Sequence, residues 1–374
     1  MKYYIIAGEA SGDLHGSNLI KAILKNDPTA QIQCWGGDLM QAAGGHLVKH
    51  YRSLAFMGFV EVLMNLRTII ANIAFCKKDI TAFEPDVLIC IDYPGFNLRI
   101  AKWAKMNGMK VVYFIAPQVW AWKENRVPAM RQSIDRLLCI LPFEKAYFKN
   151  RWNWEVDYVG HPLMEVIDAL DPLAHPLPPL QDKKLIALLP GSRQQEIRKK
   201  LPIMLSVAKE FPTEHFVVAQ APGIDPDWFN TLIPNLPNVH VVAANTYAIL
   251  QHSKAALVTS GTATLETALL NVPEIVCYKG NPITLALAKR FVKIKFIALV
   301  NLIMNKEVVK ELIQEDLTTK NLSIELKKLL EDAAHQSAIK ADYARLKEAL
   351  TTGHKATTVA AAIIQETLNS RFSK

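Results

Sequence analysis

The chain has 374 residues, half of them hydrophobic and 21% charged, which excludes a disordered chain and is too long for one ordinary core. No stretch of eighteen or more residues is free of polar interruption, so a membrane-crossing helix is not expected. With 43 basic residues against 35 acidic the net charge is +8, which suits an anionic ligand or surface, although no recognised nucleic-acid module is present.

The N-terminal MKYYIIAGEASGD lacks the long apolar region and cleavage site of a signal peptide and reads as a first strand. Short apolar strands then alternate with helical segments. They are predicted at Tyr3–Ala7, Val87–Ile91, Lys110–Ile115, Leu137–Ile140 and Val156–Val159, and again at Lys184–Leu189, Phe216–Ala219, Val239–Val242, Ala255–Val258 and Glu274–Tyr278. Near-continuously apolar strands separated by helices imply parallel sheets covered on both faces. The pattern is that of an α/β doubly wound domain, present twice.

Between the two runs lies DALDPLAHPLPPLQDKK, whose four prolines can neither continue a helix nor join a central strand. The expected division is a first domain over 1–170, a linker over 171–183, a second domain over 184–350 and a C-terminal helix over 351–374. Gly353 is expected to break the helical tail. The five cysteines, Cys34, Cys76, Cys90, Cys139 and Cys277, are odd in number and scattered. They form neither a disulfide framework nor a metal site and suggest a reducing compartment.

Ligands of open parallel sheets bind beyond the carboxyl ends of the strands, and four stretches fall there. GEASGD follows the first strand, where Gly8 and Gly12 permit a tight turn and Glu9 is exposed as a ligand candidate. It is not the G-x-G-x-x-G dinucleotide fingerprint, which disfavours a nicotinamide cofactor; a plain turn with Ser11 or Asp13 capping the helix is the structural alternative. VLICIDYPGFN delivers Asp92 from a buried strand into a turn, where a general base or a simple turn cap could sit. In ALLPGSRQQE, Gly191, Ser192 and Arg193 precede a helix, so that backbone amides and a guanidinium can meet a phosphate. In VTSGTATLETALLNVP, Ser260, Gly261, Thr262 and Thr264 offer hydroxyls and amides at a helix start. Glu266 lies one turn in, where it can accept from the two hydroxyls of a ribose or simply favour the helix dipole.

Residues 54–78 carry a wide apolar helical face. Val62, Leu66, Ile69 and Ile73 share one stripe, preceded by Met57 and flanked by Arg67, Lys77 and Lys78, as in a helix lying in a membrane interface. Trp120 and Trp122 of VWAW suit a headgroup boundary. An ordinary core helix explains the same pattern.

Taken together these stretches resemble the lipid-A-disaccharide synthase family, inverting glycosyltransferases of the GT-B type. AGEASGD, MGFVEVL, IDYPGFN, VWAWK, LPFEKAY, GHP, LPGSR, SGTATLE and KELIQ match family stretches in order between about residues 3 and 320. The resemblance implies two Rossmann-like doubly wound domains facing across a cleft. It implies condensation of UDP-2,3-diacylglucosamine with 2,3-diacylglucosamine 1-phosphate to a β-1′,6-linked disaccharide and UDP, without metal or other cofactor. The enzyme would sit in the cytoplasm, peripherally on the inner face of the inner membrane, and an oligomer is compatible with it. By the same resemblance Asp92 would be the base for the acceptor 6-hydroxyl, Arg193 the diphosphate ligand, and Asn301 a residue important for activity. Glu266 would hold the ribose and Glu9 would face the reacting sugars.

Gly95 stands where many members carry a second acid, Val300 replaces a common proline, and Gln118 replaces a serine. Two other functions share this architecture: a UDP-N-acetylglucosamine 2-epimerase, which would not need the apolar face, and a non-catalytic two-lobed binding protein. A dehydrogenase fits least.

Overall fold

The computed structural model describes residues 1–54, 66–171, 180, 184–243, 245–280 and 295–369. The chain divides into two compact units, Met1–Glu165 with Leu350–Lys374, and Val166–Ala349. The division therefore comes slightly before the proline-rich segment, most of which lies outside the described residues. The C-terminal segment belongs to the first unit.

In the first unit the described strands are β1 (Lys2–Ala7), β2 (Gln31–Gly36), β3 (His46–His50), β4 (Val87–Ile91), β5 (Lys110–Phe114), β6 (Arg136–Cys139) and β7 (Asp157–Tyr158). They pair in parallel in the order β3-β2-β1-β4-β5-β6-β7. The two-residue period of a strand sorts their side chains onto two faces. Tyr4, Ile6, Leu88 and Cys90 join a core under the helices Leu66–Phe83, Pro94–Met106 and Val127–Ser133. Tyr3, Ile5, Ala7, Val87, Ile89 and Ile91 face the other way, toward the helices Ala10–Asn26 and Ala356–Asn369. Ala356, Ala360, Ala361, Ile364 and Leu368 complete that second core, and Gly353, at φ 74, turns the chain into their helix.

The second unit holds β8 (Leu185–Leu189), β9 (His215–Gln220), β10 (Val239–Ala243), β11 (Ser253–Thr259), β12 (Glu274–Tyr278) and β13 (Lys310–Ile313). Their order is β10-β9-β8-β11-β12-β13, again parallel. The strands β2, β3 and β13 were not among the predicted ones. Each mixes polar and apolar residues: QIQCWG starts exposed, HLVKH is an edge strand with histidines at both ends, and KELI is the opposite kind of edge, short and charged.

In both sheets the order of connection reverses once, between β1 and β4 in the first and between β8 and β11 in the second. At such a reversal the loops leaving two adjacent strand ends diverge and leave a crevice for a ligand. All four candidate stretches leave from these strands.

Candidate active site

In the first unit β1 runs into Gly8 and Glu9, and the neighbouring β4 runs into Asp92 and Tyr93. Asp92 and Tyr93 both adopt left-handed backbone, at φ 42 and φ 49, a conformation that costs a non-glycine residue of the order of 1 kcal/mol or more. The surroundings hold it in place. The Asp92 N–H donates to the Phe114 carbonyl at 3.1 Å, and the Asp92 carbonyl accepts from the Tyr113 hydroxyl at 2.6 Å and from Asn97 Nδ2 at 2.8 Å. The same amide reaches the carbonyls of Ile6 and Ile91, at 3.2 and 3.1 Å, so Asn97 ties the ends of β1 and β4 together. Gly8 is required by this arrangement: a Cβ there would lie 2.3 Å from the Tyr93 ring.

Burial, and then the charge of Glu9, push the Asp92 carboxyl up to about 6, while the Tyr93 amide pulls it partly back. A carboxylate in that range is ionised at neutral pH yet basic enough to take a proton. Asp13, by contrast, is spent on structure. Its carboxylate accepts from the amides of Gly37, Leu39 and Met40, at 2.8, 3.2 and 3.0 Å, and so caps the helix Asp38–Ala42 rather than its own.

Glu144 is a site neighbour that the sequence reading passed over. Its carboxylate is fully buried and accepts from Trp120 Nε1 at 3.0 Å and from the amides of Ile140 and Leu141 at 3.2 and 3.0 Å. Burial raises it to about 7, with a smaller contribution from the charge of Asp92. Trp120 is therefore half-buried and tied inward, whereas Trp122 is 48% exposed. The acid in LPFEKAY, one turn beyond a strand and at a helix start, was the available signal.

In the second unit the loops after β8 and β11 leave side by side, since Leu189 pairs with Val258. Gly191 has φ 107, and a Cβ on it would stand 3.0 Å from Glu196 and 3.5 Å from Thr259. Ser192 and Arg193 are exposed ahead of the helix Gln194–Ser206, with Arg193 at its N-cap. Glu196 bridges two cations, receiving Arg193 at 3.1 Å and lying 3.5 Å from the ammonium of Lys200. Lys200 is a buried lysine whose pKa burial depresses and Glu196 restores in part. Gly261 and Thr262 are exposed at the start of the helix Thr262–Leu269, where free amides and the dipole favour an anion.

Thr264 is buried and donates its hydroxyl to the Gly261 carbonyl at 2.9 Å, and Ser260 donates to Ile297 at 3.2 Å. Glu266 receives the Tyr247 hydroxyl at 3.1 Å, and burial raises its pKa.

Asn301 sits differently from an expected substrate ligand. It is fully buried, its amide donates to Val309 O and Glu311 Oε1 at 2.9 and 2.8 Å, and its oxygen accepts from Val308 and Val309 at 2.8 and 3.0 Å. Each polar atom is used inside the protein, so Asn301 braces the backbone at 308–309 against the helix Leu299–Met304.

Of the apolar-face residues, Met57, Val62 and the side chain of Leu66 lie outside the described residues. The inward stripe of Leu66–Phe83 is Asn72, Cys76 and Ile80, and Ile73 packs against that core rather than facing outward. Ile69 is half-buried; Ile70 and Phe75, 56% and 45% exposed, are the outward apolar groups. No described helix is long and apolar enough to cross a membrane.

Two doubly wound parallel sheets, each with its candidate loops at the reversal, are the architecture of the GT-B fold. Solved structures share the fold: a glycotransferase of kitacinnamycin at TM-score 0.67 with 14% identity, covering 98% of this chain and 99% of that one. The S. aureus MnaA–UDP co-structure gives 0.69 with 12% identity, covering 98% and 97%. At sequence level, the family described as "LpxB: Lipid-A-disaccharide synthetase" matches residues 3–364. The lipid-A-disaccharide synthase of Geobacter metallireducens is 36% identical over 369 residues, 96% of each chain. This chain belongs to the lipid-A-disaccharide synthase family and is a glycosyltransferase.

Proposed function

We propose that the chain transfers 2,3-diacylglucosamine from UDP to the 6-hydroxyl of 2,3-diacylglucosamine 1-phosphate, with inversion, forming the β-1′,6-linked disaccharide and UDP. The observation that carries this reading is Asp92, a carboxylate held at a strand end at the sheet reversal with its pKa raised to about 6, in a chain matched to its family over residues 3–364.

In the step, Asp92 accepts the proton of the acceptor hydroxyl as its oxygen attacks the donor's anomeric carbon. The bond from that carbon to the diphosphate oxygen breaks, and the electron pair leaves with UDP. Arg193 and the amides at 191–192 and 261–262 receive the charge that develops on the leaving diphosphate. Glu266 takes the ribose hydroxyls, Glu9 stands beside Asp92 among the reacting sugars, and Asn301 keeps the 297–309 segment in shape. These residues can do the work of a Lewis acid by charge and hydrogen bonds.

Both substrates carry acyl chains, so the protein works at a membrane surface. Exposed Ile70, Phe75 and Trp122, on a chain of net charge +8, support peripheral attachment to anionic lipid on the cytoplasmic side.

The decisive assay is incubation of the purified protein with acylated UDP-sugar and the lipid acceptor, with mass detection of the disaccharide. Turnover of unacylated UDP-N-acetylglucosamine to its 2-epimer, with no disaccharide, would replace this reading by the epimerase one.

A further inference from the structure

The loop between β5 and the helix Val127–Ser133 carries a cationic group that the chemistry above leaves unused. Lys123 Nζ lies 4.0 Å from the centre of the Trp122 ring, and the Arg126 guanidinium carbon lies 5.9 Å from it. Two cations thus share one exposed aromatic ring. The turn that brings them together is built for it: Lys123 is left-handed at φ 58, and its carbonyl receives the Arg126 amide at 3.0 Å. The acid between them is turned away, since Glu124 holds Tyr147 at 2.8 Å and the Arg151 guanidinium at 3.0 Å. Partial burial, and then the repulsive charge of Arg126, lower the pKa of Lys123. Like charges gathered around one exposed ring are relieved by an anion.

The location says which anion. The strand β5 is the neighbour of β4, with Phe114 paired to Ile91, so this loop and the Asp92 turn leave adjacent strand ends. Arg126 is also near enough for its charge to act on the Tyr113 phenol, the group that holds the Asp92 carbonyl at 2.6 Å. In a hexose 1-phosphate C1 and C5 both flank the ring oxygen, so the 6-hydroxyl and the phosphate lie on one edge of the sugar, and a phosphate beside Arg126 suits a hydroxyl at Asp92. We propose that Trp122, Lys123 and Arg126 form the subsite for the phosphate monoester of the acceptor sugar, holding that edge of the ring so that its 6-hydroxyl meets Asp92. This inference rests on the transfer reaction proposed above.

The test uses the full-length chain in detergent micelles with a short-chain acceptor, so that no bilayer contributes. Arg126→Ala and Lys123→Ala are each expected to raise the acceptor KM roughly 10- to 100-fold, the loss typical of a charge-assisted hydrogen bond. Donor KM and UDP affinity should stay at wild-type values. Against the same acceptor without its phosphate, wild type should fall to the level of the variants, and the variants should lose little more. Equal losses on both acceptors would overturn the subsite, as would a loss seen only on vesicles, which would assign the cations to lipid headgroups. Calorimetric binding of the two acceptors reads the subsite without turnover. A wild type that binds the phosphorylated acceptor more tightly but makes no disaccharide would refute the transfer reading and leave the subsite standing.

Discussion

The side-chain amide of Asn97 donates to the backbone carbonyl of Asp92 at 2.8 Å while also reaching the carbonyls of Ile6 and Ile91. One buried amide thereby joins two strand ends and holds a left-handed pair of residues that would otherwise relax. None of these bracing bonds uses the Asp92 carboxylate.

Asp92→Asn is expected to fold and to bind UDP as wild type does, while kcat falls about 10²- to 10⁴-fold, the usual share of a general base. It should also be more stable at neutral pH. The folded carboxyl keeps its proton up to about 6 against an ordinary value of 3.8, so its contribution is fully present at low pH and is lost as pH rises through that window. Asparagine escapes the loss. Chemical denaturation of both proteins at a series of pH values from 4 to 8 follows the loss through that window; a variant that gains nothing at the higher pH would place Asp92 in a freely solvated setting.

The charge of Glu9 is one of the two causes that raise Asp92. Glu9→Gln should therefore shift the acidic limb of the kcat/KM profile from near pH 6 toward lower pH. An unchanged or higher midpoint would show that the limb belongs to another group.

Arg193→Ala should weaken UDP binding by about 1.5–3 kcal/mol, the range for hydrogen bonds to charged groups, and leave acceptor affinity alone. Isothermal titration with UDP reads this directly. Retained affinity would move the diphosphate to the helix Thr262–Leu269 alone.

Asn301→Ala removes the side-chain acceptor of the buried Val309 amide, at a cost of about 1–3 kcal/mol, and one of the two acceptors of the Val308 amide, which keeps the Lys306 carbonyl at 3.0 Å. Its first symptom should be a fall in stability to urea, with activity lost in proportion to unfolding or loop distortion. Full stability with abolished turnover would return Asn301 to the substrate.

Much of this was legible because glycine or an acid directly after an apolar run has few reasons to be there, and GEASGD, IDYPGFN, LPGSR and SGTATLE all follow that rule. Their meeting at two sheet reversals depended on strand order, which local pattern does not encode. The roles of Asn97, Glu144 and Asn301 come from partners far along the chain or across a loop, so composition could not distinguish a ligand from a brace. The orientation of Leu66–Phe83 follows the core-helix alternative more than the membrane one: Ile73 packs beside the inward Asn72, Cys76 and Ile80, and only the flanking Ile70 and Phe75 are exposed large apolar groups of its described side chains.

The helix Ala356–Asn369 lines the core formed by Tyr3, Ile5 and Ile89, so the first unit is sewn shut by residues made after the whole second unit. A nascent chain leaving the ribosome would have its second unit ready to fold while the first still showed a greasy flank, awaiting its seal. A chain cut just before Ala356 would therefore leave the core of Tyr3, Ile5 and Ile89 open to water on the flank that this helix covers.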